Sequence, residues 1–158
     1  MLRRDWRLLG FASERLRSDG DFVLLAMAQE PRVVTFATEG LRGDRTFASR
    51  AVRQDWRALA EVSQELRGDR AVVQEALQRD WRALQLASRE LRADPQLVLL
   101  AMEQDPRAIY LADQGLKADR AFALTAVRRD WRAFEFLASD LQEDRVLALV
   151  VVRVSWQG

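Results

Sequence analysis

The sequence predicts an all-α fold: an α-solenoid of six 25-residue two-helix repeats. Three observations predict it. One pattern recurs every 25 residues, with first positions at Asp5, Glu30, Asp55, Asp80, Asp105 and Asp130, and a partial seventh copy opens at Ser155. Position 12 is Leu and position 15 is Asp in all six copies. Between those marks the apolar residues fall at helical steps. Units this short bury their apolar sides only against neighbours, so the period implies stacking, and residues 1–158 read as a single helical-repeat array.

The elements of one copy follow in order. Position 1 is acidic and position 2 is Trp, except for Pro31 and Pro106. Proline suits the first position of a helix, where its missing N–H has no partner anyway, and an acidic residue before it accepts backbone N–H groups as a cap. A first helix therefore opens at position 2, with apolar residues near positions 5, 8 and 12, such as Leu84, Ala87 and Leu91. The Asp at position 15 follows a small residue in most copies, and Pro95 follows Asp94, so a second helix opens there. Its apolar positions are 18, 19, 22 and 23, as in Phe22, Val23, Ala26 and Met27. Ala at position 22 of five copies implies close helix approach. Two helices of roughly 10 residues, each about 15 Å long, are marginal alone and persist only if covered. Copies 1 and 4 share Val-Leu-Leu-Ala-Met, and copies 2 and 5 share Pro at position 2 and Gly at position 11, which points to duplication of a three-copy block.

The stretch from Trp81 to Ala101 carries Trp-Arg-Ala-Leu, Ala-Ser-x-Glu-Leu-Arg-x-Asp and Val-Leu-x-Ala. This pattern resembles the repeat family known as domain of unknown function 4116, over almost the whole chain. The departures are Pro31 and Pro106 at the Trp position and Leu137-Ala138-Ser139-Asp140 in the last copy. The resemblance implies a fold of short helical hairpins and assigns no activity.

Composition narrows the function. Apolar residues make up 49% of the chain and charged residues 31%, enough for a core and a solvated surface. With 25 basic against 24 acidic residues, the net charge of +1 gives no global pull toward nucleic acid or anionic lipid. There is no Cys and no His, so thiolate metal sites and the commonest general base are missing. No glycine loop for phosphate, nucleophile elbow or metal-ligand cluster is present. The expectation is a chain that is not an enzyme and carries no cofactor. No apolar stretch is long enough to span a bilayer, and no signal-peptide core follows Met1, which favours an intracellular location.

Two rows of side chains could act. Trp6, Trp56, Trp81 and Trp131 share position 2, and Trp156 takes it in the partial copy. They could stack bases or grip a peptide; the structural alternative is a seam between copies. Arg7, Arg32, Arg57, Arg82, Arg107 and Arg132 share position 3, where a cation opposes the helix dipole. A ladder of Arg–Asp pairs with position 1 or position 15 carboxylates resolves that conflict; anion binding is the functional alternative. Arg42-Gly43-Asp44 and Arg67-Gly68-Asp69 spell an adhesion tripeptide, but they fall at the turn between helices, where the Asp serves as a cap.

Position 21 is Arg50, Glu75 and Thr125 in three copies, hence exposed, but Leu25, Leu100 and Val150 in the others. Apolar residues recurring on one face suggest docking; the structural alternative is that end copies and superhelical curvature bury them. The last helix adds Val151, Val152 and Val154 before Trp156, and neither end reads as capped, so either the chain is cut from a longer array or its ends meet a partner, with end-to-end contact as one form of that. Leu25, Leu100, Val150, Val154 and Trp156 are the candidate partner-binding residues. The function expected is a non-catalytic protein–protein interaction scaffold, as a peripheral subunit of a larger assembly. The alternative is a nucleic-acid-binding solenoid using the Arg and Trp rows, for RNA or single strands.

Overall fold

The computed structural model describes residues 6–156. The expected partial helix over residues 1–4 lies outside them. Among the described residues every regular element is helical. The chain divides into two compact units, residues 1–87 and 88–158.

The first unit runs η1 (Trp6–Phe11), α1 (Glu14–Arg17), α2 (Gly20–Met27), η2 (Pro31–Phe36), α3 (Glu39–Arg42), α4 (Arg45–Gln54), η3 (Trp56–Ala60), α5 (Gln64–Arg67), α6 (Arg70–Leu77) and η4 (Trp81–Leu86), where η marks a 3-10 helix. The helices α2, α4 and α6 pack side by side in chain order, and so do η1 to η4. Each long α-helix also lies against the 3-10 helix that follows it. The second unit runs α7 (Arg89–Arg92), α8 (Pro95–Met102), η5 (Pro106–Leu111), α9 (Gln114–Lys117), α10 (Arg120–Arg129), η6 (Trp131–Phe136), α11 (Ser139–Gln142) and α12 (Arg145–Ser155). Here α8 lies on η5, α10 on η6 and α12, and η5 on η6.

The expectation of two helices per copy is corrected to three. The first splits into a 3-10 helix of five or six residues and a four-residue α-helix. The break falls at position 9 in every copy, including Ser13 and Ala138, which make no side-chain cap bond. Thr38, Ser63 and Ser88 each turn a side-chain oxygen back onto the N–H three residues on, at 3.4 Å, and cap a new helix there. Asp113 does the same to the N–H of Gly115 at 2.9 Å. The residue at position 9 has extended backbone, as in Ser88 at φ −59° and ψ 161°, so no continuous helix passes through it.

The same residue joins successive copies. Its backbone N–H donates to the position 13 carbonyl of the copy before: Thr38 to Arg17 at 3.0 Å, Ser63 to Arg42 at 2.9 Å, Asp113 to Arg92 at 2.9 Å and Ala138 to Lys117 at 3.2 Å. That carbonyl ends a short helix and would otherwise be left without a partner. The stitch uses only backbone groups, so Ala138 makes it as well as Thr38 does.

The long helices supply the core. Asp19, Asp44, Asp69, Asp94, Asp119 and Asp144 all cap them by accepting backbone N–H groups, as the sequence predicts. Positions 18, 19, 22 and 23 are buried in α4, α6, α8 and α10, and the position 22 Ala is fully buried in each of these helices. Between copies 1 and 2 the fit is close: a Cβ on Gly10 would sit 2.9 Å from Cε1 of Phe36. The Leu at position 12 is less uniform than expected. Leu66 and Leu141 are buried, Leu41, Leu91 and Leu116 partly buried, and Leu16 exposed. The partial seventh copy opens no new element: α12 runs on through Ser155, and Trp156 is its C-cap.

Candidate interaction surface

The position 3 arginines are held by their own caps. Asp55, Asp80, Asp105 and Asp130 each accept the backbone N–H of the Arg two residues on, at 2.8, 2.8, 2.9 and 2.9 Å. The Arg side chain then folds back onto the same carboxylate. Arg57 reaches Asp55 at 3.5 Å, Arg82 reaches Asp80 at 3.0 Å, Arg107 reaches Asp105 at 2.6 Å and Arg132 reaches Asp130 at 2.7 Å. Arg107 and Arg132 make this contact through both Nε and Nη2. The Arg132 guanidinium holds the Asp130 carboxyl below its ordinary value and is itself raised. The cap carboxylate also offsets the dipole of a very short helix, so the cation at position 3 costs little. For Arg32 the position 1 residue is Glu30, which makes no side-chain cap bond.

The position 15 carboxylates pair elsewhere, across copies. Arg45 meets Asp69 at 2.9 Å and Arg120 meets Asp144 at 2.7 Å, each linking position 16 to position 15 of the next copy. The Asp144 carboxyl is lowered to about 2 by the Arg120 hydrogen bond and by the Leu147 and Val146 N–H groups. The adhesion tripeptides are tied up in the same way: Asp44 accepts the Phe47 N–H at 2.7 Å, and Asp69 caps α6 while holding Arg45.

The tryptophans are partly drawn in. Trp56 and Trp81 are partly buried, with Arg57 5.0 Å and Arg82 5.3 Å from their ring centres. Trp131 is more open, and Trp156 is 86% exposed. The Trp6 side chain lies outside the described residues, so its place in the row is not described.

A third column escaped the sequence reading. Position 13 is Arg17, Arg42, Arg67, Arg92, Lys117 and Gln142. Gln142 Nε2 lies within donating distance of the carbonyls of Phe134, Glu135 and Leu137 at the end of η6, at 3.2, 3.0 and 3.2 Å, of which Phe134 also accepts the Leu137 N–H. Lys117 is buried, donates to the Tyr110 carbonyl at 3.5 Å and lies 5.4 Å from that ring. The Nε atoms of Arg17, Arg42, Arg67 and Arg92 are buried without a hydrogen-bond partner. The signal was a basic residue in five of six copies, masked by the many other arginines.

The candidate docking residues do not form one cluster. Leu25 is exposed on α2, in the first unit, and Leu100 is partly buried on α8. Val150 and Val154 are partly buried, one turn apart on α12, near Trp156. At position 21, Arg50 and Thr125 are exposed, whereas Glu75 is drawn in by Arg53 at 2.6 Å. The more open apolar row on α12 is Val146, Leu149, Val152 and Trp156, at 53, 62, 55 and 86% exposure. These follow one another at steps of three and four, so they share a side of the helix. A second open group, Leu8, Phe11 and Leu16, lies on η1 and α1. Among the described residues no helix is long and apolar enough to cross a membrane.

Short capped helices repeated at a fixed spacing, with carboxylates occupied by neighbouring cations, define an all-helical repeat protein. The family described as Domain of unknown function (DUF4116) matches residues 44–92 and 94–142 as two tandem copies, and the chain belongs to it. Each match begins at the Asp cap of a long helix, Asp44 or Asp94. No curated protein and no solved structure matches the chain.

Proposed function

We propose that the chain is an α-solenoid of six 25-residue repeats acting as a non-catalytic protein–protein interaction scaffold, as a peripheral subunit of a larger assembly. The observation that carries this reading is the open apolar row on α12, Val146, Leu149, Val152 and Trp156. Contiguous apolar surface of this kind marks association sites, and burying it supplies affinity at about 25 cal/mol per Å² before association costs. Val150 and Val154 flank that row, and Leu25 offers a further exposed contact on α2.

The nucleic-acid alternative is weaker because Arg57, Arg82, Arg107 and Arg132 already hold carboxylates. A phosphate would have to displace an Asp that also caps the helix. Affinity capture with mass spectrometry tests the scaffold, comparing the natural sequence with Val154→Asp and Trp156→Ser. A protein other than this chain should be captured and then lost with both variants. Capture unchanged by either variant, or retention on an oligonucleotide column that persists as salt is raised, contradicts the reading.

A further inference from the structure

The position 13 column carries cations that the fold leaves unanswered. Arg17, Arg42 and Arg67 end α1, α3 and α5 of the first unit. Each is partly buried, with its Nε covered and without a hydrogen-bond partner. The Nη atoms are not covered in this way, and among the described residues none of the three guanidiniums forms a hydrogen bond or an ion pair. An N–H covered without a partner is costly, and the column repeats that cost from copy to copy. Other cations of the unit are answered: Arg45 by Asp69, Arg50 by Asp21, Arg53 by Glu75, Arg57 by Asp55 and Arg82 by Asp80. In the second unit the column is largely spent, since Lys117 donates to the Tyr110 carbonyl and Gln142 is neutral.

The backbone stitch keeps the three arginines in register. The Arg17 carbonyl accepts from Thr38, one turn before Arg42, and the Arg42 carbonyl accepts from Ser63, one turn before Arg67. Packed helices lie about 8–10 Å apart, which sets the step along the column. The residue after each Arg is Ser18, Gly43 or Gly68, exposed and small, so that neighbour adds no bulk beside the guanidinium.

Nearby acids limit what can bind. Glu14, Glu39 and Glu65 stand exposed on the same three short helices. A stacked nucleic-acid strand carries a charge about every 3.4 Å and would set several phosphates per step against them. A peptide can place carboxylates at the arginines alone. A polyproline II chain has three residues per turn and rises about 3.1 Å per residue, so every third side chain returns to one face after about 9.3 Å. That rise matches the step of the column.

We propose that the first unit binds an acidic segment of a partner protein in polyproline II conformation, with Asp or Glu at every third residue, through Arg17, Arg42 and Arg67. The open Nη edges take the carboxylates, while the covered Nε edges hold the guanidiniums in place. The site lies in the first unit and α12 in the second, so the proposal goes beyond the scaffold reading and fails independently of it.

Fluorescence anisotropy of a labelled peptide of repeating Glu-Pro-Pro, titrated with the 158-residue chain, tests this. Gln142 and Lys117 occupy position 13 in other copies, so Arg42→Gln should keep the natural helical circular dichroism. The natural sequence should bind the peptide, and binding should fall as salt is raised. Arg42→Gln should weaken it roughly threefold to tenfold, and Arg17→Gln, Arg42→Gln and Arg67→Gln combined should abolish it. The single variants serve if the combined one loses helicity. Arg82→Gln, which removes a cation already held by Asp80, should leave binding unchanged. Repeating Gln-Pro-Pro should not bind, and repeating Glu-Pro, whose acids turn to different faces, should bind more weakly. No binding of Glu-Pro-Pro overturns the proposal. So does an equal loss with Arg82→Gln, which would mean unspecific charge attraction. So does a single-stranded oligonucleotide that binds more tightly than the peptide and is lost with the same Arg variants. Protein capture that is lost with Trp156→Ser reads the scaffold at α12 separately, so failure of one reading is told apart from failure of the other.

Discussion

Asp130 is a cap and an ion-pair partner at once, and the two roles are separable. It accepts the Arg132 N–H at 2.9 Å and the Arg132 guanidinium at 2.7 Å. Asp130→Ala removes both and should cost about 0.5–2 kcal/mol, the value of an N-cap. Arg132→Gln removes only a solvent-exposed ion pair, which is worth little, and should shift the urea midpoint less. Equal shifts would mean that the ion pair and not the cap carries the effect. Acid should act through the same carboxylates. Asp144 lies at about 2 in the fold against an ordinary 3.8, so its contribution is present above 3.8 and lost as pH falls through about 2. Asp69, Asp113 and Asp130 are lowered too. For Asp69, partial burial pushes upward, but the Val72 and Ala71 N–H groups and Arg45 outweigh it. An acid titration of helicity should therefore fall in that window, and Asp144→Asn should flatten it. The caps at positions 1 and 15 were legible in sequence because Pro95 and Pro106 mark first helical positions after Asp94 and Asp105; Pro31 marks one too, but Glu30 before it makes no side-chain cap bond. The choice of partner was not: an Arg at position 3 has carboxylates on both sides, and only geometry selects Asp two residues back over the position 15 Asp.

At the scale of elements, the long helices were legible and the first helix of each copy was not. Apolar spacing at positions 5, 8 and 12 suits one helix as well as a 3-10 turn followed by a short α-helix. In four copies a Ser, Thr or Asp at position 9 caps the short helix inside an apparently continuous pattern, but the break persists at Ser13 and Ala138 without a side-chain cap. Ser88→Ala should cost about 0.5–2 kcal/mol if that oxygen caps α7. A midpoint unchanged in urea would show that the side-chain cap contributes little to the break. Core truncation is better placed on η4 than on α7. Leu84 is fully buried and Leu91 only partly, so Leu84→Ala should cost about 2–5 kcal/mol and Leu91→Ala less. The reverse order would mean that the core lies under the short helices. The position 13 column was hidden because Arg is abundant at many other positions, so five basic copies carried no distinct signal.

For the whole molecule, the open faces follow from how the copies protect one another. The sequence pointed to uncapped ends but aimed at position 21, because Leu25, Leu100 and Val150 break a polar pattern there. The most telling exposed residue, Val152, sits at a position that is core elsewhere, so its type gave no hint. Only loss of cover distinguishes it from Val127. The central claim is that, within each of the two units, a copy is held by the neighbouring copies packed against it. Native-state hydrogen exchange with mass spectrometry measures that cover directly. Amides of α4, packed between α2 and α6, should exchange far more slowly than those of η1, and amides of α10 more slowly than those at the end of α12. Protection that is equal along the chain, or greatest in η1 and α12, would contradict it.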